Sequence, residues 1–156
     1  IVAEFPYVCM GVGMKIDNLE WVNNESDLTD WQNGTTGLPI IDAIMKELNH
    51  TGYISNRARM ITLSYLVKDL LVDWRYGEKY FMEKLIDGDF ASNNGGWGFI
   101  LLFGVNAQPW FRILNPWTQS ARFDGEELEE KWDVEASQDK ELHTKRRQRA
   151  LDWIKQ

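Results

Sequence analysis

The chain has 156 residues, 44% of them hydrophobic, with 24 acidic against 17 basic side chains and a formal net charge of −7. This is enough apolar material for one core and a single domain, while the acidic balance argues against a surface built throughout to grip a polyanion. The lone Cys9 excludes an internal disulfide, His50 and His143 are too far apart to form a metal-ligand pattern, and no apolar run approaches membrane-spanning length. No Ser/His/Asp or Cys/His nucleophile set is discernible. Without a charged secretory start, the expectation is an intracellular protein, its compartment open between cytoplasm, nucleus and mitochondrion.

Residues 1–18 combine an apolar start, Pro6, Gly11 and Gly13, and read as a helix end followed by a loop. Ser26 is the expected N-cap of a short helix carrying Leu28 and Trp31, and the NGTTG run at residues 33–37 marks a turn. Pro39 opens the next helix where its missing N–H costs nothing. Ile40, Ile41, Ile44, Met45 and Leu48 give that helix an apolar face, and Gly52 ends it. Ser55 is the expected cap of a helix running to Trp74, because Asn56, Met60, Leu63, Val67, Leu70 and Trp74 recur at alternating spacings of four and three. An amide and a guanidinium, Asn56 and Arg59, share the first turn of that stripe with Met60, and polar groups facing a core need partners. A break at Gly77 is expected before a short amphipathic helix through Tyr80, Phe81 and Leu85.

Residues 87–97, DGDFASNNGGW, show neither helical nor strand periodicity. Glycines allow close backbone approach, Asp87 and Asp89 can accept hydrogen bonds or pair with an arginine, and Trp97 offers a large flat surface. An ordinary turn has the same composition, so composition alone leaves a structural loop and a binding loop both open.

The segments TGLPIIDAIMKEL, TGYISNRARMI, SYLVKDLLVDWRYGEKYFMEKLIDGD, NNGGWGF and QPWFRILNPWTQS follow one another in this order. Together they resemble the flavin-binding helical domain of the DNA photolyase and cryptochrome family, across roughly residues 21–124. The GGWGF form is most similar to the fungal type of cyclobutane-dimer photolyase. The resemblance implies an all-α fold of about five to seven helices with long loops, residues 1–156 forming one partial domain. It also implies that the antenna-binding α/β domain, the upstream flavin-phosphate segment and the Glu and Trp that read the dimer precede the point where this sequence starts.

The implied cofactor is FAD, and the implied chemistry is light-driven electron transfer to pyrimidine dimers in DNA. Trp97 corresponds to the relay tryptophan nearest the flavin, Trp74 to the middle one and Trp21 to the outer one, although packing also explains tryptophans. Asn93 falls at the position facing flavin N5, where photolyases carry Asn and plant cryptochromes Asp. The resemblance places Asn56, Arg59, Asp87, Asp89 and Asn93 on the cofactor, with an Arg59–Asp87 ion pair. It places Asn56, Met60 and Phe99 around a flipped dimer, and Arg57, Arg112 and Arg122 on DNA phosphates.

Two stretches depart from the family pattern. Ile100, Leu101, Leu102 and Phe103 replace small polar residues, and Asn106 replaces an aspartate. If buried they would remove apolar surface equivalent to about several kcal/mol and fill space a cofactor occupies; if exposed they call for an oligomer or a partner chain. The tail passes almost directly into a last helix at residues 140–155, where Lys145, Arg146, Arg147 and Arg149 read as a solvated face. The alternative function is therefore a degenerate or redesigned helical scaffold with neither cofactor nor activity. On either reading, the expectation is descent from a photolyase without efficient repair by this chain alone.

Overall fold

The computed structural model describes residues 20–89, 93, 96–97, 116–122, 125–132, 144–146 and 148. Among them the regular structure is helical throughout: six α-helices and one π-helical turn. Cys9, the segment at 1–18 and the departure at 100–106 lie outside the described residues.

Helix α1 (Glu25–Asn33) is capped by Asn24 rather than by Ser26. The Asn24 backbone is extended, and its Oδ1 accepts the N–H groups of Ser26 at 2.9 Å and Asp27 at 3.3 Å. Glu25 and Asp27 then occupy the first turn, where acidic groups complement the helix dipole. Helix α2 (Pro39–Thr51) starts at Pro39 and stops at Gly52, as its sequence predicts. It is the hub of the fold, with Ile40, Ile41, Ala43, Ile44, Met45 and Leu48 all buried. Its N-cap, Leu38, has no side chain to offer. Asp42 compensates from inside the helix, accepting from Thr36 N–H (2.7 Å), Thr36 Oγ1 (2.6 Å) and Gly37 N–H (2.9 Å). Burial raises the Asp42 carboxyl above the usual range, against the opposing pull of these donors.

Helix α3 (Asn56–Ser64) begins with Ser55 Oγ accepting Ala58 N–H at 3.2 Å. The expected continuous helix to Trp74 does not form. Residues 65–69 instead make a π-helical turn (Tyr65–Asp69), Leu71 turns the chain with φ 54°, and α4 (Trp74–Lys84) starts afresh under an Asp73 cap. Every residue from 61 to 72 is buried, so apolar spacing there no longer distinguishes one helical winding from another. Gly77, expected to break the chain, lies inside α4.

Helices α5 (Pro116–Arg122) and α6 (Gly125–Lys131) pack against α2 together with α1 and α3. Lys131 Nζ reaches Glu47 Oε1 at 2.9 Å, and the Trp132 ring meets His50 at 4.9 Å between centroids. In the last helix Lys145 is exposed as expected, but Arg146 is only 5% exposed. Its Nη2 donates to Asp27 Oδ1 at 2.6 Å, and its Nη1 to Thr36 O at 3.1 Å and Tyr65 Oη at 3.2 Å. The expected solvated face is thus corrected: three acceptors converge under the α1–α2 turn, and a guanidinium fork matches them. Arg147 and Arg149 lie outside the described residues.

Two features of this core yield tests. A Cβ on Gly77 would lie 2.6 Å from Leu66 Cδ2 and 2.7 Å from Trp97 Cζ2. Gly77→Ala should therefore destabilise by about 1–3 kcal/mol despite the better helix propensity of alanine; an unchanged urea midpoint would contradict the contact. Burial also pulls the Lys68 amine from 10.5 down to about 8, against the opposing pull of the Asp69 carboxylate. Because the unfolded chain holds that proton more tightly, the charged lysine destabilises the fold below about pH 8, and the penalty is relieved as pH rises towards 10.5. The stability of Lys68→Met relative to the parent should accordingly fall across that window, and a difference independent of pH would contradict it.

Candidate functional site

The turn at Gly52 brings two polar segments together. Gly52 has φ 67°, and a Cβ there would lie 2.8 Å from Ile86 Cγ2. The Gly52 carbonyl accepts Ile86 N–H at 2.9 Å. Arg59 extends from the first turn of α3 across this junction, its Nε donating to Ile54 O at 3.2 Å and its Nη2 to both Asp87 oxygens at 2.9 and 2.7 Å. The expected Arg59–Asp87 ion pair is present. It joins the start of α3, with exposed Asn56 and Arg57 and half-buried Met60, to the loop carrying exposed Asp87 and Asp89.

That loop continues inward. Asn93 N–H donates to Asp89 O at 2.8 Å, and residues 93, 96 and 97 are helical rather than irregular as expected. Asn93 is buried, its Nδ2 donating to Glu78 O at 3.2 Å and its Oδ1 accepting Trp97 Nε1 at 3.2 Å. Both ends of the amide are therefore engaged by the protein, and an amide has no acidic proton to deliver. Asn93 orients the fully buried indole of Trp97, which lies against the α4 backbone at Gly77.

One helical turn before Gly77, Trp74 opens α4 and is 4% exposed. The irregular segment around Trp21 is pinned beside it. Leu71 O accepts Val22 N–H at 2.9 Å, and Asn23 Oδ1 accepts Asp73 N–H at 2.8 Å. Trp21 itself is half-buried and packs on the core. Burial thus decreases from Trp97 through Trp74 to Trp21. The Arg75 guanidinium sits 5.2 Å from the Trp74 ring centroid.

Of the residues expected to meet DNA, Asn56, Arg57 and Met60 share the start of α3. Arg122 ends α5 with its side chain outside the described residues, as are Phe99 and Arg112 altogether. Sequence reasoning missed Tyr53 and Ile86, which are 55% and 80% exposed on either side of the Gly52 junction. The available signal was an apolar residue embedded in each polar motif, TGYISNR and LIDGD. Among the described residues no group of His, Cys, Asp and Glu could hold a metal ion, and no helix is long and apolar enough to cross a membrane.

Known proteins share this sequence and this fold. A deoxyribodipyrimidine photo-lyase of Neurospora crassa is 56% identical over 126 residues, 80% of this chain and 20% of the relative. The Escherichia coli enzyme of that name is 57% identical over 110 residues, 70% of this chain and 23% of the relative. The chain therefore spans about a fifth of the length of these curated relatives. A crystal structure of an archaeal photolyase from Sulfolobus tokodaii with two FAD molecules superposes with a TM-score of 0.81 at 38% identity, covering 99% of this chain and 40% of that one. A Synechocystis cryptochrome gives 0.70 at 29% identity, covering 86% and 34%. The family described as the FAD binding domain of DNA photolyase matches residues 1–151, and the chain belongs to that family.

Proposed function

We propose that this chain is part of a flavin-binding domain, holding FAD against the Gly52 junction and supplying electrons to it through Trp97. The observation that carries the reading is the Arg59–Asp87 ion pair at the surface and, two residues further along the same loop, the hydrogen bonds that lead from Asp89 through Asn93 to a buried indole. The donor set fits the group. Arg59 and Asn56 offer N–H donors to phosphate or carbonyl oxygens, Asp87 and Asp89 accept from hydroxyls or a ring N–H, and exposed Tyr53 and Ile86 offer apolar surface to a flat ring.

When bound, FAD supplies light absorption and one-electron chemistry. The protein's part is to hold Trp97 in one orientation through Asn93, to keep water from it, and to refill it from Trp74 and then from Trp21 near the surface. Arg57, with Arg112 and Arg122, would neutralise phosphates of a DNA strand whose pyrimidine dimer enters beside Asn56, Met60 and Phe99. This local basic set operates against a net charge of −7, so DNA affinity should fall steeply with salt. Repair of dimers belongs to the whole protein, to which this chain contributes the flavin-proximal part, and if residues 100–103 are exposed a partner chain or second copy would cover them. The scaffold alternative has no separate observation in its favour among the described residues.

The test is to add FAD, remove the excess and record the absorbance spectrum. A retained flavin band is expected; a folded, colourless protein overturns the reading. Arg59→Gln should weaken retention by about tenfold or more, the ~1.5–3 kcal/mol of a hydrogen bond to a charged group. Trp97→Phe should keep the flavin and lose its photoreduction.

A further inference from the structure

Trp97 stands at one end of a series of aromatic contacts. Its ring meets Phe81 edge-on at 5.6 Å between centroids, Phe81 stacks on Trp31 at 5.7 Å and 12°, and Trp31 meets Tyr80 at 5.8 Å and 59°. The series runs from fully buried Trp97, Phe81 and Trp31 to half-buried Tyr80, on the side of α4 that leads to Asn49 and Gln32 rather than to Trp21. We propose that this series is a second electron-donor line to Trp97, ending in a neutral tyrosyl radical on Tyr80. Its use rests on the photoredox reading above, whereas its geometry does not.

Each member has the chemistry its place requires. Trp31 Nε1 donates to Thr62 O at 3.2 Å, so the negative end of a carbonyl dipole faces the indole when it carries a positive charge. Phe81 has no readily oxidised group and acts as the contact between two indoles. The Tyr80 hydroxyl lies 2.6 Å from Asn49 Oδ1 and 3.0 Å from Gln32 O, at an exposed edge where a proton can leave to water. Electrostatics favour this line over the one through Trp74. The Arg75 cation over Trp74 opposes a positive charge on that indole, an effect that Asp73, 3.2 Å from Arg75, offsets in part. Lys84 sits 5.5 Å from the Tyr80 centroid, but a tyrosyl radical that has lost its proton is neutral and meets no such opposition.

The step balances. Oxidised Trp97, one electron short, takes an electron from Trp31 across Phe81, and Trp31 takes one from Tyr80. Tyr80 releases its phenolic proton to solvent, so Trp97 and Trp31 end reduced and Tyr80 ends one electron and one proton poorer. The acceptor of the first electron would be photoexcited flavin on the reading above, and is azide radical in the test below.

The flavin is not needed for the test. Pulse-generated azide radical, a one-electron oxidant that prefers tryptophan to tyrosine and is reduced to azide ion, is applied to the full chain while transient absorption follows indolyl decay and tyrosyl rise. A tyrosyl rise whose rate does not depend on protein concentration is expected. Most of it should be lost in Tyr80→Phe and in Trp31→Phe, and kept in Tyr76→Phe, whose ring is exposed elsewhere. The absence of any tyrosyl rise in the parent, or an undiminished rise in Tyr80→Phe, overturns the proposal. A chain that retains no flavin yet shows Tyr80-dependent transfer sinks the flavin reading and keeps this line. One that retains flavin but transfers independently of Tyr80 does the reverse.

Discussion

The approach of the Trp97 ring to the backbone of α4 at Gly77 is the constraint on which the rest of the site depends. A glycine inside a helix costs about 1 kcal/mol against alanine. Burying an indole removes roughly 150–250 Å² from water, about 4–6 kcal/mol at the usual coefficient and an upper bound for folding. The balance favours the indole by several-fold. The bare helix face at Gly77 seats Trp97 edge-on against Phe81, so one missing side chain opens the aromatic series that leads on to Trp31. Asn93 then removes the remaining freedom by holding the ring nitrogen.

The Arg59–Asp87 pair has a different role. Its side chains are 22% and 44% exposed, and ion pairs in that setting contribute about 0–1 kcal/mol. Its worth is positional: it holds a loop rich in acceptors at a fixed distance from the start of α3. The Gly52–Ile86 backbone bond closes the same junction from the other side.

How much of this was legible from the residues depended on how local each signal was. Pro39, Gly52 and Ser55 marked helix ends correctly because capping is decided within a turn. The helical class and the Arg59–Asp87 pair followed from motif resemblance. The π-turn at residues 65–69 was hidden because a segment buried on every side has no polar face to reveal its period. Gly77 was misread as a stop because a glycine that admits a neighbouring ring is spelled the same as one that ends a helix. Asn24 displaced Ser26 because two cap-forming residues stood two apart and only the backbone geometry chooses between them. Arg146 was assigned to solvent because its acceptors lie 81 to 119 positions earlier in the chain.

That last contact bears on how the molecule comes together. The bond from Arg146 to Asp27 spans 119 positions, among the longest closures the described part of the chain makes. Loop-closure entropy grows slowly with length, but contacts of this separation form late when non-local pairing limits the rate. On a ribosome, the α1–α2 turn emerges well before the guanidinium that completes its buried acceptor cluster. The amino-terminal half of the core therefore waits, with Asp27 lacking that guanidinium, until the last helix has been synthesised. Final consolidation of this core is tied in this way to synthesis of the segment around Arg146 rather than to the folding of the earlier helices.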